Sequence, residues 1–125
     1  MVAALFVTGA AWLVADALKD SASGDAWQAT AANLLMIHGG TAMAMLMIFG
    51  ALFPLHVRLG WRARKNRLSG GTMVTLNGLL IVTAFGLYYS GSELMRPWIS
   101  DTHIAAGFAL AALIFVHVPI GRRSS

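Results

Sequence analysis

Four histidines stand in two apolar stretches of this 125-residue chain, His38 and His56 in one, His103 and His117 in the other. An α-helix turns about 100° per residue. The 18-residue step from His38 to His56 is then about five whole turns, and the 14-residue step from His103 to His117 falls about 40° short of four. Each pair is predicted to share one helix face. Imidazoles are costly in lipid and seldom sit there without a role. Two inward stripes, each with a ligand near either end, suit two stacked metal cofactors. The candidate is a pair of haems, each gripped by one histidine from each helix. Zinc needs a compact tetrahedral ligand cluster. Pairs about 20–27 Å apart along their helices do not form one.

The elements that must position these residues are apolar. The chain is 58% hydrophobic and 11% charged, against about 25% charged for soluble domains, and its mean hydropathy is +0.69. These values describe an integral membrane protein, and the length suits one domain over 1–125. The absence of cysteine excludes disulfides, thiolate ligation, cysteine-held iron–sulfur clusters and the Cys-x-x-Cys-His attachment of c-type haem. Any haem is therefore held non-covalently. A net charge of +4 is not read as nucleic-acid binding, because the basic residues cluster as membrane topology requires.

A bilayer core needs about 20 apolar residues per helix. Four stretches are predicted as helices, at about 2–18, 31–57, 72–89 and 103–120. The expected fold is all-α, an integral membrane four-helix bundle with two haems between helices 2 and 4. Between the stretches lie Lys19–Thr30, a basic turn with Arg58, Arg62, Arg64, Lys65 and Arg67 ending in the breaker Ser69-Gly70-Gly71, and Gly91–Thr102, where Asp101 is a candidate N-cap. The basic turn and Arg122-Arg123 carry seven of the nine basic residues. The positive-inside rule puts them, and both termini, in the cytoplasm. Trp27, Tyr88, Tyr89 and Trp98 then fall at one interface and Trp61 at the other. Ala15-Asp16-Ala17 resembles a signal-peptidase site, but no lysine or arginine precedes the first apolar run, so a retained helix is expected.

Helices two and four are separated by one helix and so run the same way. His38 and His103 then lie near the periplasmic face, and His56 and His117 toward the cytoplasm. The pairs His38/His103 and His56/His117 follow at matched depths. Their rises differ, at about 27 Å and about 21 Å, and Pro54 is the expected site of a kink that shifts His56. Gly60, Gly107 and Gly121 each follow a histidine by four residues, one turn along the same face, as Ala42 follows His38. Small residues there, with Gly78 and Gly86 on the third helix, leave room for a porphyrin, although close helix packing is the competing role. Arg58 and Arg62 are candidate partners for haem propionates on the cytoplasmic side and Arg96 on the other. Topology and solvation are their competing roles. Met36, Met43, Met45 and Met47 read as bundle packing rather than axial ligands. Asp16 reads as a helix end at the headgroups rather than a proton relay, and Glu93 and Asp101 as solvated acids.

Between about Ile37 and Arg123 the chain resembles the membrane-embedded four-helix dihaem cytochrome b family, a grouping that includes the cytochrome b subunits of respiratory formate dehydrogenases and hydrogenases. The resemblance rests on Ile37-His38-Gly39-Gly40, Pro54-Leu55-His56, Ser69-Gly70, Thr83-Ala84-Phe85-Gly86-Leu87-Tyr88, His103-Ile104-Ala105-Ala106-Gly107 and His117. It implies bis-histidine haem b at His38/His103 and His56/His117. It also implies a bacterial-type inner membrane, with exchange between the quinone pool and a periplasmic redox protein or dehydrogenase subunit. The expected function is transmembrane electron transfer, as a subunit rather than a complete enzyme. Two axial histidines leave no open iron position for oxygen chemistry. Three alternatives stay open: a stand-alone quinone-linked oxidoreductase for a small periplasmic substrate, a non-redox membrane anchor, and a proton channel relayed by the four histidines.

Overall fold

The computed structural model describes residues 1–21, 23–62 and 67–123, with side chains except at 56 and 120–123. Among them every regular element is helical. Helix α1 spans Val2–Leu18, the range expected from its apolar run, and α2 spans Gly24–Leu52. A π-helical turn over Phe53–Val57 and the short α3, Arg58–Arg62, continue it, so helical backbone runs unbroken from Gly24 to Arg62. Helix α4 spans Arg67–Tyr89 and α5 spans Arg96–Arg123. Three helical spans, Gly24–Arg62, Arg67–Tyr89 and Arg96–Pro119, are long and apolar enough to cross a membrane. Helix α1, with 17 residues, is the shorter apolar partner.

Three helices begin earlier than their apolar runs. α2 starts at Gly24 rather than near 31, α4 at Arg67 rather than near 72, and α5 at Arg96 rather than near 103. Backbone hydrogen bonding continues through polar residues as readily as apolar ones, whereas hydropathy marks only the part that faces lipid. Ser69-Gly70-Gly71, expected to break the chain, therefore lies inside the first turns of α4. Asp101, expected as an N-cap, lies inside α5. The chain turns into α5 through Ser92, whose carbonyl accepts from Arg96 N–H at 3.0 Å. Pro97 follows as the second helical residue, where its missing N–H costs nothing.

The π turn has a local cause. Pro54 has no N–H to donate one turn back, and the helix widens around it to i→i+5 bonding. The five-turn step expected from His38 to His56 presumed α-helix throughout, and this turn interrupts it.

The chain forms two compact units, Met1–Phe53 and Pro54–Ser125. In the first, α1 packs along α2 as an antiparallel hairpin. The link is tight. Ser21 N–H donates to Leu18 O at 3.0 Å and Gly24 N–H to Ser21 O at 2.9 Å. A Cβ on Gly24 would run into the carbonyl of Lys19. Lys19 Nζ meets Asp16 Oδ1 at 3.0 Å, so Asp16 closes the end of α1, as the helix-end reading expects. In the second unit, α4 packs along α5. Arg67 folds back on α3, donating to the Trp61 carbonyl through Nη2 at 2.9 Å with its guanidinium 5.1 Å from the centre of the Trp61 ring.

Side chains at the hairpin seams are mostly small: Ala15 and Ala31 are buried in the first unit, and Thr83 and Ala106, with the larger Leu110, in the second. Small seam residues let helices approach closely, the pattern of packing in lipid. Large apolar side chains such as Met47, Val82 and Phe115 are instead exposed. In water such a surface would aggregate. In a bilayer it faces its proper solvent.

Candidate functional site

A hydroxyl inside an apolar helix needs a partner, and the carbonyl one turn back is within reach. Every threonine of the chain donates there, from Thr8 to Thr102. A hydroxyl has one proton but two lone pairs, so each keeps an acceptor site. At two threonines that site meets an imidazole from the facing helix of the same hairpin.

In the first unit, Thr8 Oγ1 lies 2.7 Å from Ala4 O and 3.0 Å from His38 Nδ1. In the second, Thr83 Oγ1 lies 2.7 Å from Leu79 O and 2.8 Å from His103 Nδ1. A 2.7 Å approach of hydroxyl to carbonyl requires a proton between the oxygens, and only the hydroxyl has one. The proton on the imidazole contact therefore comes from the ring. This geometry assigns Nδ1–H as the donor of His38 and His103, and in a neutral imidazole with that tautomer the lone pair lies on Nε2. That is one of the two forms in which histidine ligates a metal.

A third contact of this kind joins His117 Nδ1 to Ser69 Oγ at 3.1 Å. The two contacts of the α4/α5 hairpin are evenly registered. Ser69 precedes Thr83 by 14 residues and His117 follows His103 by 14. The levels are thus about 21 Å apart along the helices. Both imidazoles of α5 reach the same neighbouring helix, so the shared face expected from their spacing is present. His38, Thr8, His103, His117 and Ser69 are all half-buried or, for Thr83, buried.

Glycines shape the surroundings in opposite ways. A Cβ on Gly9 would sit 3.3 Å from His38 Cε1, so this glycine lets the ring lie against α1. A Cβ on Gly86 would sit 3.3 Å from Ile99 Cγ2. Gly86 therefore serves packing of α4 on α5, and the porphyrin slot expected there is corrected to a helix contact. A Cβ on Gly107, one turn beyond His103, meets nothing within 4 Å, and the same holds at Gly39, Gly40, Gly60 and Gly78.

The remaining candidates are more peripheral. The backbone of His56 lies in the π turn, and its side chain is outside the described residues. So are Arg64, Lys65 and the side chains of Gly121, Arg122 and Arg123. Arg58, Arg62 and Arg96 are exposed. Met36, Met43 and Met47 are exposed rather than packed, while Met45 is half-buried. Among the described residues, no three His, Asp or Glu side chains gather closely enough to hold a metal by themselves. Sequence reasoning missed Thr8 and Gly9 and gave no role to the hydroxyls of Thr83 and Ser69. Comparison of the chain with known protein families, curated proteins and solved structures gives no match.

Proposed function

We propose that this chain is a transmembrane electron-transfer cytochrome: a helical membrane bundle holding two b-type haems non-covalently. The observation that carries the reading is the threonine hydroxyl held against Nδ1 of His38 at 3.0 Å and of His103 at 2.8 Å, which suits Nε2 to face a metal. The residues fit the group. A porphyrin supplies four of six iron ligands, so two neutral imidazoles complete the set and no three-residue cluster is needed. Open space at Gly107 beside His103 suits a broad ring. The absence of cysteine restricts attachment to axial bonds and packing.

The ligand pairs we propose, from the depths that chain order implies, are His38 with His103 and His56 with His117. When bound, the haems supply one-electron exchange between ferric and ferrous iron. The chain's own part is to present imidazoles at two depths, to fix each ring by a hydroxyl, and to exclude water with apolar side chains. Arg58 and Arg62 would meet propionates on the cytoplasmic side and Arg96 on the other. The exchange partners are a quinone pool and a periplasmic redox protein or dehydrogenase subunit, across a bacterial-type inner membrane with both termini cytoplasmic.

The same contacts favour a second reading, a non-redox anchor subunit. In it, the hydroxyl–imidazole pairs serve only to join helices. One experiment separates the two: a reduced-minus-oxidised spectrum of the purified protein with pyridine haemochrome stoichiometry. Two low-spin b haems per chain are expected, and His103→Ala should remove one of them. Colourless protein from its native membrane supports the anchor.

A further inference from the structure

We infer that Thr8 and Thr83 are positioning residues: by accepting the Nδ1 proton of His38 and His103, they select Nε2 as the ligating nitrogen and strengthen it as a donor. The inference rests on the haem reading for what Nε2 binds, but not for which nitrogen carries the proton.

The argument begins with the hydroxyl. At both threonines the proton is committed to a carbonyl at 2.7 Å. A donating hydroxyl is polarised, and its oxygen becomes a better acceptor. The imidazole is then held by a directional bond at 3.0 Å in one hairpin and 2.8 Å in the other, and at His38 the Leu5 backbone also hydrogen-bonds the ring. This does three things. It fixes the tautomer. It fixes the ring plane, since the bond lies along one ring nitrogen. It also draws the Nδ1 proton outward, which raises the basicity of Nε2 and favours the more charged ferric state of a bound iron. The arrangement occurs once in each hairpin, on the similar short runs Val7-Thr8-Gly9 on α1 and Val82-Thr83-Ala84 on α4. The chain's other five threonines make the same carbonyl bond without an imidazole contact among the described hydrogen bonds. Carbonyl bonding is thus general, and the imidazole contact is particular to these two.

The test compares Thr8→Val and Thr83→Val, which keep shape and remove the hydroxyl, with Thr8→Ser and Thr83→Ser, which keep it. Haem-free protein labelled with ¹⁵N-histidine in lipid bilayers reports the tautomer from the ring nitrogen shifts. Nδ1–H is expected at His38 and His103 in the parent and in both serine variants, and its share should fall at the facing histidine in each valine variant. On haem titration, each valine variant should lose about 10–100-fold in affinity at one of two haems. The midpoint potential of that haem should rise, and serine should restore both values. Nε2–H rings in the haem-free parent would overturn the inference, as would valine variants with unchanged affinity and potential. If a valine variant loses its helical circular dichroism, its serine counterpart decides: loss of Nδ1–H there overturns the inference. A parent that binds no haem ends the cytochrome reading, while the nitrogen shifts still decide the tautomer.

Discussion

Gly107 separates a haem protein from a bundle of helices most sharply. It lies in the interior of α5, one turn past His103, and a Cβ built on it meets no atom within 4 Å. The polypeptide therefore does not need glycine there. Glycine in a helix interior costs about 0.5–1 kcal/mol relative to alanine. Gly107→Ala should stabilise the haem-free protein by up to about that amount, and Gly107→Leu by slightly less. A porphyrin coordinated by His103 reverses the sign. Its face must pack at van der Waals contact, about 3.5–4 Å between carbons, and a leucine side chain would fill that gap. Overpacking costs about 1–3 kcal/mol in a well-packed site, and a rigid ring cannot yield as a side chain does. The assay is haem per chain by pyridine haemochrome, with thermal unfolding of haem-free protein followed by circular dichroism. Gly107→Leu should fall from two haems to one while its haem-free unfolding midpoint holds or rises. Two haems with an unaltered spectrum in Gly107→Leu would refute the placement of the ring beside His103.

Two other outcomes follow from the packing and the charges. Gly86→Ala places a methyl 3.3 Å from Ile99 Cγ2 and 3.4 Å from its Cδ1, so the α4/α5 seam should lose about 1–3 kcal/mol of packing, partly offset by helix propensity. Adding Ile99→Val should recover part of the loss, and a double-mutant cycle on the unfolding midpoint reads the coupling. At the end of α1, the hydrogen bond from Lys19 to Asp16, aided by the carboxylate's charge, holds the ammonium above the usual lysine value of 10.5. A raised folded value means that the contact contributes fully below pH 10.5 and is lost as pH climbs through the folded value. Amide protection factors at the end of α1, corrected for the intrinsic base-catalysed rate, should therefore fall in that alkaline range. Asp16→Asn should remove the dependence, and a Lys19 titration at its ordinary value in the parent would contradict it.

Much of the fold was legible because lipid imposes simple rules. Long apolar runs become helices, since no other segment satisfies its own backbone in a bilayer. Hence the range of α1 and the end of α4 at Tyr89 matched their hydropathy. Helix starts did not match, because Trp27, Arg67 and Trp98 extend helices into residues that hydropathy counts as loop. The site was half legible. The histidines stood out by type, and the 14-residue interval on α5 identified a shared face. Their hydroxyl partners did not stand out, because a threonine in a membrane helix is ordinary and the back-bonding that satisfies it leaves no trace in spacing.

Residue types and intervals by themselves determined that this is an apolar helical chain with imidazoles at two depths of one helix and no cysteine to bind a cofactor covalently. The tertiary structure decided which side chains those imidazoles meet. In an antiparallel hairpin, residues equally far from the turn stand level. Thr83 and His103 are each 10 residues from Glu93, Ser69 and His117 each 24, and Thr8 and His38 each 15 from Ser23. The sequence contains these symmetries, but they mean nothing until the centre of each turn is known. Hydropathy misplaces that centre, since it starts α5 at His103 when the backbone starts it at Arg96. Packing of helix on helix sets the register, and the register brings a hydroxyl against Nδ1 of His38, His103 and His117.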